Sequence, residues 1–160
     1  MVIRAATATG GTLEIGQLSG GSAASNADVR GDVLQYDSGA SYSDTINIKT
    51  LKVASTTTIN VGDNSNIIDE LGGVTLGGAL TIQAKGRVTG MALTGDVTAT
   101  GVDIRTGVGA LAVGTRNITA TTGNVVLRGR GITQSAGSTI SSTSGTVTLY
   151  GSDYATNTLG

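Results

Sequence analysis

The sequence predicts an all-β chain: a right-handed parallel β-helix with three short strands per coil, about 22 residues per coil and about seven coils. Three observations carry this expectation. Apolar residues alternate with polar ones in short pairs, the pattern of strands whose successive side chains point to opposite faces. The pairs recur with a fixed period, as when GNVVLRG (123–129) returns as GTVTLYG (145–151). Glycine, 26 of 160 residues, falls between the pairs, and proline is absent from a chain whose interior coils need every N–H for a ladder.

The elements follow in order. Leu13/Ile15 and Leu34/Tyr36 open a first column that continues with Ile59/Val61, Leu80/Ile82, Val102/Ile104, Val125/Leu127 and Val147/Leu149. From Ile59 onward its steps are 21, 22, 23 and 22 residues. The step from Leu34 to Ile59 is 25, and a loop inserted at 36–45 absorbs the surplus. A second column reads Ile46/Ile48, Ile67, Val88, Leu111/Val113 and Ile132. A third reads Val29, Leu51/Val53, Val74/Leu76, Val97/Ala99, Ile118/Ala120 and Ile140. Gly78, Gly95, Gly101, Gly123 and Gly145 stand at corners, where positive φ or close backbone approach favours glycine.

Each strand is then expected to lie parallel to its copy about 4.8 Å away, and seven coils make a rod about 34 Å tall. The right hand follows from the bias of parallel crossovers. A narrow interior filled by stacked Val, Ile, Leu and Ala explains why Phe and Trp are absent. An antiparallel sandwich would need hairpin turns such as Asn-Gly or Asp-Gly, and neither dipeptide occurs. Residues 1–160 read as one domain.

Composition removes several function classes. An apolar fraction of 38% with net charge −1 argues against disorder, and scattered charges leave no electrostatic reason to bind nucleic acid. No apolar run is long enough to cross a membrane as a helix, and the opening MVIRAATATGG contains no signal-peptide core. Histidine and cysteine are absent, so a nucleophile–base pair lacks its usual base. The acid pairs Asp28/Asp32, Asp37/Asp44 and Asp69/Glu70 read as solvated turn residues rather than a glycosidase pair. The chain is expected to be non-catalytic and to need no cofactor.

Three groups of residues are candidates for binding. In GDNSNIIDE (62–70), Asp63, Asn64, Asn66 and Asp69 offer oxygen ligands suited to calcium, without the glycine and glutamate spacing of an EF-hand; the same residues are good turn formers. Tyr36, Asp37, Tyr42 and Asp44, on the inserted loop, pair aromatic and polar groups as a glycan site would. Thr75, Thr98, Thr100, Thr119, Thr121 and Thr143, with Ser141, form an outward ladder of the kind ice-binding solenoids present. Lys52 is expected to interrupt that ladder, and threonine suits any solvated strand.

The stretch TGNVVLRGRGITQSAGSTISSTSGTVTLYGS (122–152), and more loosely GGALTIQAKGRVTG and GDVTATGVDIRTG, resembles the β-helical repeats of filamentous haemagglutinin-type adhesins. These are large bacterial passengers exported by two-partner or autotransporter routes. The Asn-Pro motifs of that family's secretion domain are missing, since the chain has no proline. The resemblance therefore implies a fragment of a longer repeat protein: a structural shaft segment, secreted or held at the bacterial cell surface. Its implied partners are an outer-membrane transporter and a host or environmental glycan or cell-surface receptor. End-to-end self-association follows from the open strand edges at both ends of a rod.

Overall fold

The structure, a computed structural model, describes strands within residues 2–61 and the chain through 67–84 and 90–151, with side chains at 50–54, 59, 68–84 and 90–151. Eighteen strands are described. The first eight are β1 (Val2–Arg4), β2 (Thr12–Glu14), β3 (Leu18–Ser19), β4 (Asn26–Arg30), β5 (Asp32–Leu34), β6 (Ile46–Ser55), β7 (Ile59–Val61) and β8 (Ile67–Leu76). They are followed by β9 (Leu80–Gln83), β10 (Met91–Leu93), β11 (Val97–Ala99), β12 (Val102–Arg105) and β13 (Leu111–Gly114). The last are β14 (Ile118–Ala120), β15 (Val125–Arg128), β16 (Ile132–Gln134), β17 (Ile140–Ser142) and β18 (Val147–Tyr150).

All described pairings are parallel, and the chain is a β-solenoid. One sheet stacks seven strands in the order β2-β5-β7-β9-β12-β15-β18, and the regular solenoid has about 4 turns of ~22 residues rather than the seven expected. The other joins the remaining strands, with β1-β4-β6-β8-β10-β13-β16 along one path and β8-β11-β14-β17 along a branch. From Leu80 on, each coil has three strands, as the columns predicted. Val102 pairs with Leu80 and Val125, and Val125 with Val147. Val97 pairs with Val74 and Ile118, and Ile118 with Ile140. Successive N–H groups donate along the axis: Leu80 to Gly101 O (2.8 Å), Val102 to Asn124 O (2.9 Å) and Val125 to Thr146 O (2.8 Å).

Alternation decides what is inside. Strands β9, β12, β13 and β15 alternate buried and half-buried residues along their length. In the coil from β12 to β14 the buried side chains are Val102, Ile104, Leu111, Val113, Ile118 and Ala120. Full burial of each larger one contributes roughly 1.5–3 kcal/mol. Thr106, buried among them, is satisfied because its hydroxyl donates to Gly109 O at 2.7 Å and closes the corner after β12.

The structure corrects four register assignments, all of them in or next to the earlier coils. First, β6 and β8 are continuous ten-residue strands that run the second and third columns together. Leu51 therefore lies opposite Leu71, in the second column, while Val53 lies opposite Val74 in the third; the register shifts between them, at Gly72–Gly73. Second, Leu13 pairs with Val33, and Leu34 with Asn60, so Val33 rather than Leu34 shares the position of Ile59. The one-residue offset matters because side-chain direction alternates at every residue. Third, Ile68 rather than Ile67 takes the buried second-column position, opposite Ile48, while Ile67 lies opposite Asn47. Fourth, in the coil after β9 the second column is carried by Met91 and Leu93, opposite Leu111 and Leu71 respectively. Val88 lies outside the described residues.

Register also locates the surplus residues of the early coils. Glu14 and Leu18 are four residues apart, whereas their partners Leu34 and Ile46 are twelve apart. Residues 36–45 fall inside that interval and outside the described residues.

Candidate functional site

The outward face of β9, β12, β15 and β18 carries the densest group of charged and aromatic side chains among the described residues. Parallel pairing places Gln83, Arg105, Arg128 and Tyr150 in one row and Thr81, Asp103, Val126 and Thr148 in the next. Within a row, neighbours are about 4.8 Å apart. Asp103 sits between the two arginines: Arg128 Nη1 lies 3.3 Å from its Oδ2, and Arg105 Nε lies 3.6 Å from its Oδ1. The Arg128 guanidinium carbon lies 5.0 Å from the centre of the Tyr150 ring. About a third of the Arg128 and Asp103 side chains, and 40% of Arg105, stays open to solvent. One carboxylate thus faces two guanidinium groups, and the face keeps an excess positive charge.

The threonine ladder is real over part of its expected length. Thr75, Thr98, Thr119 and Ser141 are successive register partners on β8, β11, β14 and β17. The residue opposite Thr75 in the preceding coil is Ala54, and Lys52 stands two positions earlier opposite Asp28. Lys52 therefore does not interrupt the row, which ends in alanine instead. Thr98 and Thr119 are half-buried. Thr100, Thr121 and Thr143 lie at the corner rather than in the row, and Thr121 Oγ1 turns back to donate to Ala99 O at 3.3 Å.

Two further arrangements went unread in the sequence. At the corner preceding β11, β14 and β17, Asn117 N–H donates to Asp96 Oδ1 and Thr139 N–H donates to Asn117 Oδ1, both at 2.9 Å. At the corner preceding β15 and β18, Thr146 N–H donates to Asn124 Oδ1 at 2.9 Å. Short amide and carboxylate side chains thus add rungs to the ladder between coils. Their signal is an Asp or Asn placed just before an apolar pair and answered one period later. The second arrangement joins β6 to β8, where Thr50 Oγ1 donates to Glu70 Oε2 at 2.8 Å. This bond uses Glu70, so the Asp69/Glu70 pair is partly spent on holding two coils together.

The remaining sequence candidates divide between two places. Tyr36, Asp37, Tyr42 and Asp44 lie outside the described residues, as do Asp63, Asn64 and Asn66 of the calcium candidate. Asp69, its fourth member, is half-buried on β8. Among the described residues no three His, Cys, Asp or Glu side chains are grouped to hold a metal ion. Asp28 and Asp32 fall on β4 and β5, which belong to different sheets. No protein-family model matches the chain, and no curated protein or solved structure matches it significantly.

Proposed function

We propose that the chain is a structural shaft segment of a secreted bacterial surface adhesin or fibre, and that it is not catalytic. The observation that supports this most directly is the uninterrupted parallel stack. Seven strands lie along one sheet, the interior is aliphatic, and rungs run parallel to the axis from both backbone and Asx side chains. Such a stack resists bending and fails coil by coil, because each coil contacts only its neighbours. It suits a spacer that holds a binding tip away from a cell.

Two measurements test the proposal. Antibodies against the chain are expected to label intact cells of its source, and protease added to intact cells should remove the label. An epitope reached only after lysis overturns the surface reading. Pulled from its ends, a single molecule is expected to lengthen in steps of about 70–80 Å, the extended length of a 22-residue coil. A single all-or-none rupture overturns the shaft reading.

The register-matched row of Thr75, Thr98, Thr119 and Ser141 favours a second reading, an ice-binding surface. Ice shaping by the chain, abolished by Thr119→Tyr, would replace the shaft with that function. The family's glycan or receptor partners and its outer-membrane transporter belong to the adhesin proposal and stand or fall with the surface-labelling result.

A further inference from the structure

We propose that copies of this chain join head to tail, with β17 and β18 of one copy pairing in parallel with β1 and β2 of the next, so that the solenoid continues across the joint. Assembly needs neither a cell surface nor a binding tip, so the proposal goes beyond the shaft reading and does not rest on it.

Strands at both ends of the stack keep a free edge. Among the described residues β17 pairs only with β14 and β18 only with β15. At the opposite end β1 pairs only with β4 and β2 only with β5. A strand with one neighbour still offers a row of N–H and C=O groups on its other side. Aliphatic surface lies open beside the edges of β17 and β18. Val147 is 42% exposed, and Ile140 and Leu149 are only partly covered. In the preceding coil their register partners Val125, Ile118 and Leu127 are fully buried, because a further coil closes over them.

Native sheets blunt such edges with lysine, proline, bulges or inward-pointing charges. The segments ISS of β17 and VTLY of β18 contain no lysine, proline or other charged residue, and both keep unbroken register with their inner neighbours. Nothing in either strand discourages another parallel strand from adding.

Register selects the occupant. The row of Val147 runs back through Val125, Val102, Leu80 and Ile59, then through Val33 to Leu13. The row of Ile140 runs back through Ile118, Val97, Val74, Val53 and Val29 to Ile3. One more step of the same stacking sets Leu13 of the next copy opposite Val147, and Ile3 of the next copy opposite Ile140. Both columns then continue apolar on apolar. In the adjoining rows Glu14 of the next copy stands opposite Thr148, and its Arg4 opposite Ser141, so no like charges are opposed. An unrelated strand could pair with one edge; a coil with the same columns pairs with both in the same sense. The two joining faces differ, so the contact is heterologous and repeats into an open filament. Seven stacked strands per copy give that filament an axial repeat of roughly 34 Å.

The test follows the purified 160-residue chain by light scattering and electron microscopy over roughly a hundredfold range of concentration. Filaments one solenoid wide, lengthening with concentration, are expected. Amide exchange in β17 and β18 should slow on assembly, with β12 unchanged. Val147→Lys places a charge at a position already open to solvent, so it should leave the melt in place and raise the concentration needed for assembly at least about tenfold. Leu13→Lys should block the opposite face. Each variant alone is then a monomer, and an equimolar mixture should give heterodimers and nothing longer, because each supplies the face the other lacks. Should Leu13→Lys fail to fold, a small proportion of Val147→Lys added to the unsubstituted chain should cap one end and shorten the filaments. A monomer at every concentration, side-by-side ribbons, or filaments indifferent to Val147→Lys overturns the proposal, as does a mixture of folded single variants that stays monomeric. None of these results bears on surface labelling, so failure here leaves the shaft proposal where it was.

Discussion

Asn117 illustrates how little chemistry a single residue needs in order to matter here. Its main-chain N–H donates to Asp96 Oδ1 and its side-chain oxygen accepts from Thr139 N–H, so one residue joins three coils. Asn117→Ala is expected to cost about 1–2 kcal/mol, since it leaves the Thr139 N–H without its acceptor. Asn117→Asp should cost less, because Asp96 already fills the same role with a carboxylate. Denaturant melts of the two variants check this pair. Depth in the stack sets the value of aliphatic residues. Val125 is fully buried and Val147, its register partner one coil on, is 42% exposed. Val125→Ala is expected to cost about 2 kcal/mol and Val147→Ala below about 0.5 kcal/mol. Val125→Asp places an unpaired charge among aliphatic side chains and should abolish the cooperative melt. An unchanged melt for Val125→Asp would remove the basis for the inward assignment.

Strands and corners divide the work at the next scale. The strands are three to four residues long from β9 onward, too short to persist alone, and they are held by neighbours above and below. Corners set how closely those neighbours approach. A Cβ on Gly145 would meet Gly123 O and Asn124 Oδ1 at 2.5 Å, so the corner after β17 packs directly on the corner after β14. Gly90 adds a backbone constraint, with φ of +87° and Ala110 main chain where a Cβ would sit. Gly90→Ala is expected to destabilise by at least about 1–2 kcal/mol from the left-handed conformation alone, with the collision added to it. Thermal melting of Gly90→Ala and Gly145→Ala tests both. Glycine periodicity marked the corner at Gly145. It did not mark Gly90, because a glycine required for positive φ and one required for close approach look alike in a sequence.

Taken as a whole, the molecule is a stack whose stability passes from coil to coil. Amide exchange is expected to be slowest in β12 and β15, which have a paired strand on each side, and fastest in β18, whose far side has no partner among the described residues. Val125→Ala should raise exchange in β12 and β18 more than in β5, since interaction energy falls off beyond the nearest neighbours. Uniform acceleration across all coils would instead indicate one global unit. Burial of side chains declines towards β17 and β18, where Ile140 and Leu149 are only partly covered.

Alternation, period and aliphatic content determined the architecture from the sequence. Leu80/Ile82, Val102/Ile104 and Val125/Leu127 are local patterns repeated at nearly constant spacing, and constant spacing leaves one register in which these paired apolar side chains all point inward. Where the spacing drifted, around Leu34, Leu51 and Val88, the sequence offered several registers of similar quality. Packing selected among them by shifting at Gly72–Gly73 and by using Met91 and Leu93. Alternation around Val102/Ile104 and Val125/Leu127 already turns Asp103, Arg105 and Arg128 outward, whereas their ion pairs, the contact with Tyr150 and the Asx rungs were decided by tertiary structure. Asp103, Arg105, Arg128 and Tyr150 are unremarkable as neighbours in sequence. They become a site only because parallel coils bring residues one period apart to within a single strand spacing.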